Sequence, residues 1–280
     1  MKVLFQKSLH SSTRNIGNGK IEAEAVLLST DAEVAARIVV ANDTFVIEHA
    51  EWESLRSGSH YMPSAGTASQ LIGNQAYFGV AASLARAFPD EKNVAQSTLF
   101  SECIKAVIQS ECYLYPQRGF ADKQAYQADW DVSHPDSCRY YSHLDIVRRR
   151  WFGYIGEETR TGSLFHRHKN VAIWLSDTGT LQSTGSFLDS FHELGIQATC
   201  EAEGRIVAMN GSFLRAPDSI CFGTAALLAS LSGRNIREIT RKDMNRSVGG
   251  SDGCAHLLDL GLEMLADLQK TLKLFDGTKA

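Results

Sequence analysis

No stretch of this sequence approaches the roughly 18–20 consecutive apolar residues that span a bilayer, and no N-terminal apolar run resembles a secretion signal. A membrane association is therefore not expected. An excess of charge of either sign is also lacking: 28 Lys and Arg against 32 Asp and Glu leave a formal net charge of -4. That balance points to neither nucleic acid nor an anionic surface. The one basic run, Arg148-Arg149-Arg150, reads as a solvated face or a set of carboxylate partners. The six cysteines form no CxxC pair and no disulfide-framework spacing. Reduced thiols and a cytoplasmic location are the expectation, and the Asn-x-Ser/Thr matches at Asn42, Asn210 and Asn245 are then chance.

What is present suits a globular protein: 44% hydrophobic and 21% charged residues over 280 positions, enough for one large domain or two ordinary ones. Lys20 to Leu28 alternates apolar and polar residues and reads as a half-buried strand. Glu33 to Val40 reads as a second strand, with a turn at Asn42-Asp43, and Thr44 to Glu51 as a third. A loop through Met62-Pro63-Ser64-Ala65-Gly66 leads to helical spacing from Leu71 to Phe88. A further helix carries Leu99, Cys103, Ile104, Val107 and Ile108 on one stripe. Residues 113–162 are aromatic, hold Pro116 and Pro135, and have no clean period. They read as an ordered connector, in which His134, Cys138 and His143 are candidates for a second metal site.

The later part has the same order of elements. Asn170 to Leu175 is a strand, and a Ser/Gly/Thr loop runs to His192. Leu194 to Cys200 and Arg205 to Phe213 are further strands. A helix from Phe222 to Leu231 follows Pro217-Asp218-Ser219, which suits a helix start. Ile236 to Met244 is a short helix or turn, and a long amphipathic helix begins near Asp252. Matched stretches such as Gly79 to Leu84 with Gly223 to Leu228 point to an internal duplication. The expected fold is α+β: two tandem modules, each a three-stranded antiparallel sheet covered by helices, packed as a pseudo-dimer. The boundaries are 1–112, 113–162 and 163–280.

The chemistry concentrates in Gly249-Gly250-Ser251-Asp252-Gly253-Cys254-Ala255-His256-Leu257. A cysteine at a helix start feels the helix dipole, which lowers a thiol pKa. Cys221 sits where another loop enters a helix, and His192 at the mouth of a strand. A convergent Cys221, Cys254 and His192 cluster could hold a metal. It could equally place Cys254 as a nucleophile with His192 as acid/base. His256 is about 200° around a helix from Cys254, so it joins only if the first turn is irregular. The first copy retains Cys103 but not the partners and reads as a degenerate site.

The order Asp218-Ser219-Ile220-Cys221, Leu231-Ser232-Gly233-Arg234-Asn235-Ile236 and Gly253-Cys254-Ala255-His256-Leu257 resembles an uncharacterised bacterial family with a terminal G-C-[TA]-H-L motif. His166-Arg167-His168 and His192-Glu193 match two further histidine positions of that family. The same layout is similar to the iron–sulfur cluster scaffold fold of the IscU and NifU N-terminal type. That resemblance implies Cys221 and Cys254 as ligands with His192 near them, and His256 and His166 as neighbours. It implies an iron–sulfur cluster, or a single zinc or iron ion taking an exogenous ligand. A small-molecule enzyme and a non-catalytic interaction subunit are the competing readings. A small-molecule ligand, a protein partner and a homodimer are all compatible with the sequence.

Overall fold

In Lys20–Ser29 and Ala32–Ala41 alternate residues are buried, and the two segments pair as an antiparallel hairpin with Ile21 opposite Val40 and Ala25 opposite Ala36. The computed structural model describes residues 1–90, 93–156 and 159–277, with side chains through residue 274. Its strands are β1 (Lys2–Gly17), β2 (Lys20–Ser29), β3 (Ala32–Ala41), β4 (Ile47–Ser57), β5 (His60–Thr67), β6 (Ser163–Leu175), β7 (Leu181–Asp189), β8 (Glu193–Cys200) and β9 (Ile206–Arg215). The helices are α1 (Ala81–Ala87), α2 (Val94–Ser110), α3 (Lys123–Ser133), α4 (Arg139–Ser142), α5 (Trp151–Ile155), α6 (Arg241–Val248) and α7 (Ala255–Gly277), and Ser219–Leu231 is 3-10 helical. None of the described helices is long and apolar enough to cross a membrane.

The α+β class stands, but the expected pair of tandem three-stranded modules, and with it the cluster-scaffold fold, is overturned. The strands hydrogen-bond in the order β5-β4-β3-β2-β1-β6-β7-β8-β9, one nine-stranded sheet. Three strands escape the sequence reading for three physical reasons. β1 buries polar Ser11 and Thr13 beside Phe5 and Leu9, so its hydrophobic alternation is diluted. β5 is exposed along almost its whole length and carries Pro63, which an edge strand tolerates. β7 reads as a Ser/Gly/Thr loop because small residues leave room for a helix: a Cβ on Gly185 would lie 2.5 Å from Met264 Sδ of α7.

By contacts the chain divides into two compact units, one of Ser8–Gln127 with Glu158–His168, the other of Met1–Lys7, Ala128–Glu157 and Lys169–Ala280. In the first unit, α2 covers β2 and β3. Leu99, Phe100, Cys103 and Val107 of α2 are fully buried, as are Ile21, Ala23, Ala25 and Ile38 of the strands. Cys103, expected as the relic of a site, donates its thiol to Ala36 O at 3.5 Å and belongs to this core. Burial raises its pKa far above the ordinary thiol value. Arg167, buried on β6, faces Glu102 of α2 at 3.7 Å, and Lys105 adds a 2.7 Å contact to the same carboxylate.

In the second unit α7 packs on β7 and β8. Leu257, Leu260, Met264, Leu268 and Leu272 are buried, the stripe expected of a core-facing helix. The same helix carries Asp259, Glu263 and Asp267 one turn apart, toward two lysines from strands. Lys169 is fully buried and contacts Asp259 at 2.9 Å and, more closely, Glu263. Lys7 contacts Asp267 at 2.6 Å and Glu263 at 3.2 Å. Burial alone would lower the Lys7 pKa, but these two carboxylates raise it.

Asp218 anchors the connector. Its carboxylate accepts the backbone N–H groups of Arg148 at 2.9 Å, Arg149 at 3.0 Å and Ile220 at 3.1 Å, and the Ser219 hydroxyl. Burial on its own would raise the Asp218 pKa; these donors outweigh it and hold the carboxyl below its usual range. A depressed carboxylate stabilises the fold above its unfolded pKa of about 3.9 and loses that contribution as pH falls through its folded value. Asp218→Asn is expected to cost about 1–3 kcal/mol at pH 7, with the gap to wild type closing below about pH 4, as read by urea unfolding at graded pH.

Candidate functional site

The second unit gathers most of the expected site residues around the β7–β8 turn and the start of α7. β7 ends at Asp189, and the turn closes through Asp189 N–H to His192 O at 2.8 Å. Asp189 Oδ1 accepts the backbone N–H groups of Phe191 at 2.8 Å and His192 at 2.7 Å, and meets His192 Nδ1 at 3.2 Å. A carboxylate only accepts, so His192 Nδ1–H is the donor in this contact. From β9, the Arg215 guanidinium clamps the same turn by donating to the carbonyls of Asp189 at 2.6 Å and Ser190 at 2.9 Å. Asp189 and His192 are both buried.

His256 comes from the first turn of α7. Its ring lies on that of His192 with centroids 3.8 Å apart, and Phe187 meets it edge-on at 5.1 Å. One donor atom each from Asp189, His192 and His256 lie within 4.8 Å of one another. Cys254 precedes the first helical residue, so the rotation that would separate it from His256 within a helix does not apply. Its Sγ is 4.0 Å from His256 Nδ1. The glycines ahead of it make this possible. A Cβ on Gly253 would fall 2.2 Å from Val248 O and 2.4 Å from Gly249 O, and Cys254 N–H bonds to that same Val248 O at 2.9 Å.

The wall beside the turn comes from the connector. Trp151 of α5 packs edge-on to Phe191 at 4.9 Å, Tyr154 donates its hydroxyl to Phe191 O, and the Arg149 guanidinium covers the Tyr154 ring at 4.6 Å. Cys138, just before α4, is near enough to both Cys221 and Cys254 to raise their pKa values. Arg139 N–H ties this segment to Gly253 O at 2.9 Å. His134 and His143 take other roles: His134 stacks on Trp130 at 4.0 Å, and His143 faces Asp252 at 3.5 Å.

The expected thiol activation is overturned. Burial pushes Cys254 up to about 12, although the N–H groups of Leu257 and His256 act against it. Burial likewise pushes Cys221 up to about 11. Desolvation exceeds the helix-terminus effect because the sulfurs are enclosed: full burial shifts a pKa by up to about 3–5 units, whereas a helix terminus contributes about 2 kcal/mol at most.

His166 belongs to the first unit. There its ring stacks on His10 at 5.8 Å, with His168 at 6.1 Å from the same ring. The His10 pKa is lowered by burial first and then by these two imidazoles. Asp189 is the site residue that sequence reasoning missed. Its signal was present in Asp189-Ser190-Phe191-His192, an Asp at a strand end whose side chain can bond the N–H groups two and three residues on.

Together these elements define an α+β protein with a largely buried group of candidate metal ligands at a turn that carries an aromatic contact. Residues 169–269 match the model of a family described as a protein of unknown function (DUF2889). That stretch contains Asp189, His192, Cys221, Cys254 and His256. No curated protein and no solved structure matches the chain.

Proposed function

We propose that the second unit binds a single divalent transition-metal ion, zinc or iron, through Asp189, His192 and His256, with Cys254 alongside. The observation that carries this reading is the convergence of three donor atoms within 4.8 Å, from buried Asp189 and His192 and half-buried His256. Imidazole and carboxylate donors suit zinc and iron(II). Asp189 also accepts the backbone N–H groups of Phe191 and His192, which fixes its carboxylate beside the two imidazoles. A single ion suits this donor set better than an iron–sulfur cluster, which is held chiefly by thiolates. Cys254 with a pKa of about 12 gives little support to a free nucleophile at neutral pH. Three protein donors leave a coordination position for water or a small-molecule ligand.

The test is metal analysis of the full chain after dialysis, with a cobalt(II) titration of the stripped protein. The expected result is one equivalent of zinc or iron fewer in His192→Ala and in His256→Ala than in wild type, while far-UV circular dichroism is unchanged. Asp189→Asn weakens cobalt binding about 10–100-fold. Metal content equal to wild type in all three variants would overturn the reading.

A further inference from the structure

We propose that His10, His166 and His168 form a second, separate site for a zinc-class divalent ion on the first unit, with an open coordination position. The argument begins from strand geometry. Residues two apart on a strand share a face, so His166 and His168 of β6 point the same way. β1 is the hydrogen-bonded neighbour of β6, with Asn15 N–H bonded to Gly162 O at 2.8 Å, and it supplies His10.

All three turn away from α2. Thr13 of β1 bonds Ser110 of α2, and Arg167 of β6 reaches Glu102 of α2, so the residues of opposite parity occupy the other face. The ring centroids of His166 and His168 lie 5.8 Å and 6.1 Å from that of His10. With a zinc–nitrogen bond of about 2.0–2.1 Å, each ring centre sits about 3 Å from the ion. Tetrahedral ligands then have centroids about 5 Å apart. The His10 ring is within about an ångström of that spacing from each of the other two.

Both histidines of β6 meet a serine hydroxyl at Nε2. Ser8 Oγ is 3.2 Å from His168 Nε2, and Ser163 Oγ bonds His166 Nε2. His168 Nδ1 is buried and has no hydrogen-bond partner. A metal on Nδ1 satisfies that atom and leaves Nε2–H to donate to the serine, the outer-shell arrangement that fixes a ligating imidazole. His10 and His166 are exposed, so the fourth position opens to solvent. Three imidazoles plus an open position form the donor set of a reactive zinc site rather than a closed structural one.

Zinc alone is the probe, titrated calorimetrically into the metal-stripped full chain at pH 7.5. His256→Ala removes the site in the other unit and is expected to retain one equivalent of bound zinc. Adding His10→Gln or His168→Gln to it weakens that binding at least tenfold. In the wild-type background His10→Gln lowers the stoichiometry from two to one, a readout that does not depend on how the His256 variant folds. Unchanged affinity in both double variants, or no zinc bound to the His256→Ala chain below 100-fold molar excess, would overturn the proposal. Loss of binding at Asp189, His192 and His256 alone would leave it standing.

Discussion

Replacing Lys169 by methionine is expected to lower the unfolding free energy by about 3 kcal/mol. Removing one partner of a buried ion pair typically costs about 3–5 kcal/mol, because the other charge stays buried without compensation. Lys169 is fully buried between Asp259 and Glu263. The low end of the range applies because Lys7 remains 3.2 Å from Glu263, so Asp259 takes most of the loss. Methionine retains the stem volume, which separates charge from packing. In the triple variant Lys169→Met, Asp259→Asn, Glu263→Gln no unpaired charge is left between these three groups, and at least half of the loss should return. Urea unfolding followed by circular dichroism measures both. A cost below about 1 kcal/mol for the single variant would mean that the lysine is not holding the acidic turns of α7 to the strand.

A second large effect is expected at Gly253. Alanine there places a methyl carbon at 2.2 Å and 2.4 Å from two backbone carbonyl oxygens, and neither is the free end of a flexible side chain. Val248 O is moreover the acceptor of the Cys254 N–H. The chain between Val248 and Cys254 must therefore open, carrying Cys254 and the first turn of α7 with it. The expected cost is about 3 kcal/mol or more, in the range reserved for enforced backbone displacement. Cobalt binding at His192 and His256 should be lost in the same variant. Gly250 is the internal control. It has φ 72° and nothing within 4 Å of an added Cβ, so Gly250→Ala should cost only about 1 kcal/mol and keep the metal. Equal effects at the two positions would mean that close approach is not what Gly253 provides.

Legibility from sequence followed side-chain chemistry. The hairpin of β2 and β3 and the stripe on α7 were readable because apolar residues recur at the periods 2 and 3.6. β1 was not, because it buries Ser11 and Thr13 and half-buries Lys7; Thr13 meets the Ser110 hydroxyl, and Lys7 meets Glu263 and Asp267, rather than oil. β7 was missed because its small residues serve α7, not the strand. Without β1 and β7 the apparent unit is a three-stranded module, and the two-module expectation follows from that omission. At the site, His192, Cys254 and His256 were legible as reactive residue types near glycine and turn signals. Asp189 was not, since an aspartate in a turn ordinarily serves the backbone, as this one also does. The sign of the thiol shift was misread because a helix start is visible in sequence whereas enclosure of a sulfur is not.

The composition of the second unit bears on how the chain is made. It joins Met1–Lys7, Ala128–Glu157 and Lys169–Ala280, so its first strand segment leaves the ribosome long before the helix whose acidic side Lys7 meets. The segment Ser8–Gln127 can begin to fold during synthesis, while Met1–Lys7 waits for α7. Contacts of such high sequence separation form slowly, and an unpaired strand end in the interval is open to wrong pairing. A fragment cut to 169–269 would lack both that strand segment and the Trp151 wall, and would be expected to aggregate rather than report the behaviour of the intact unit.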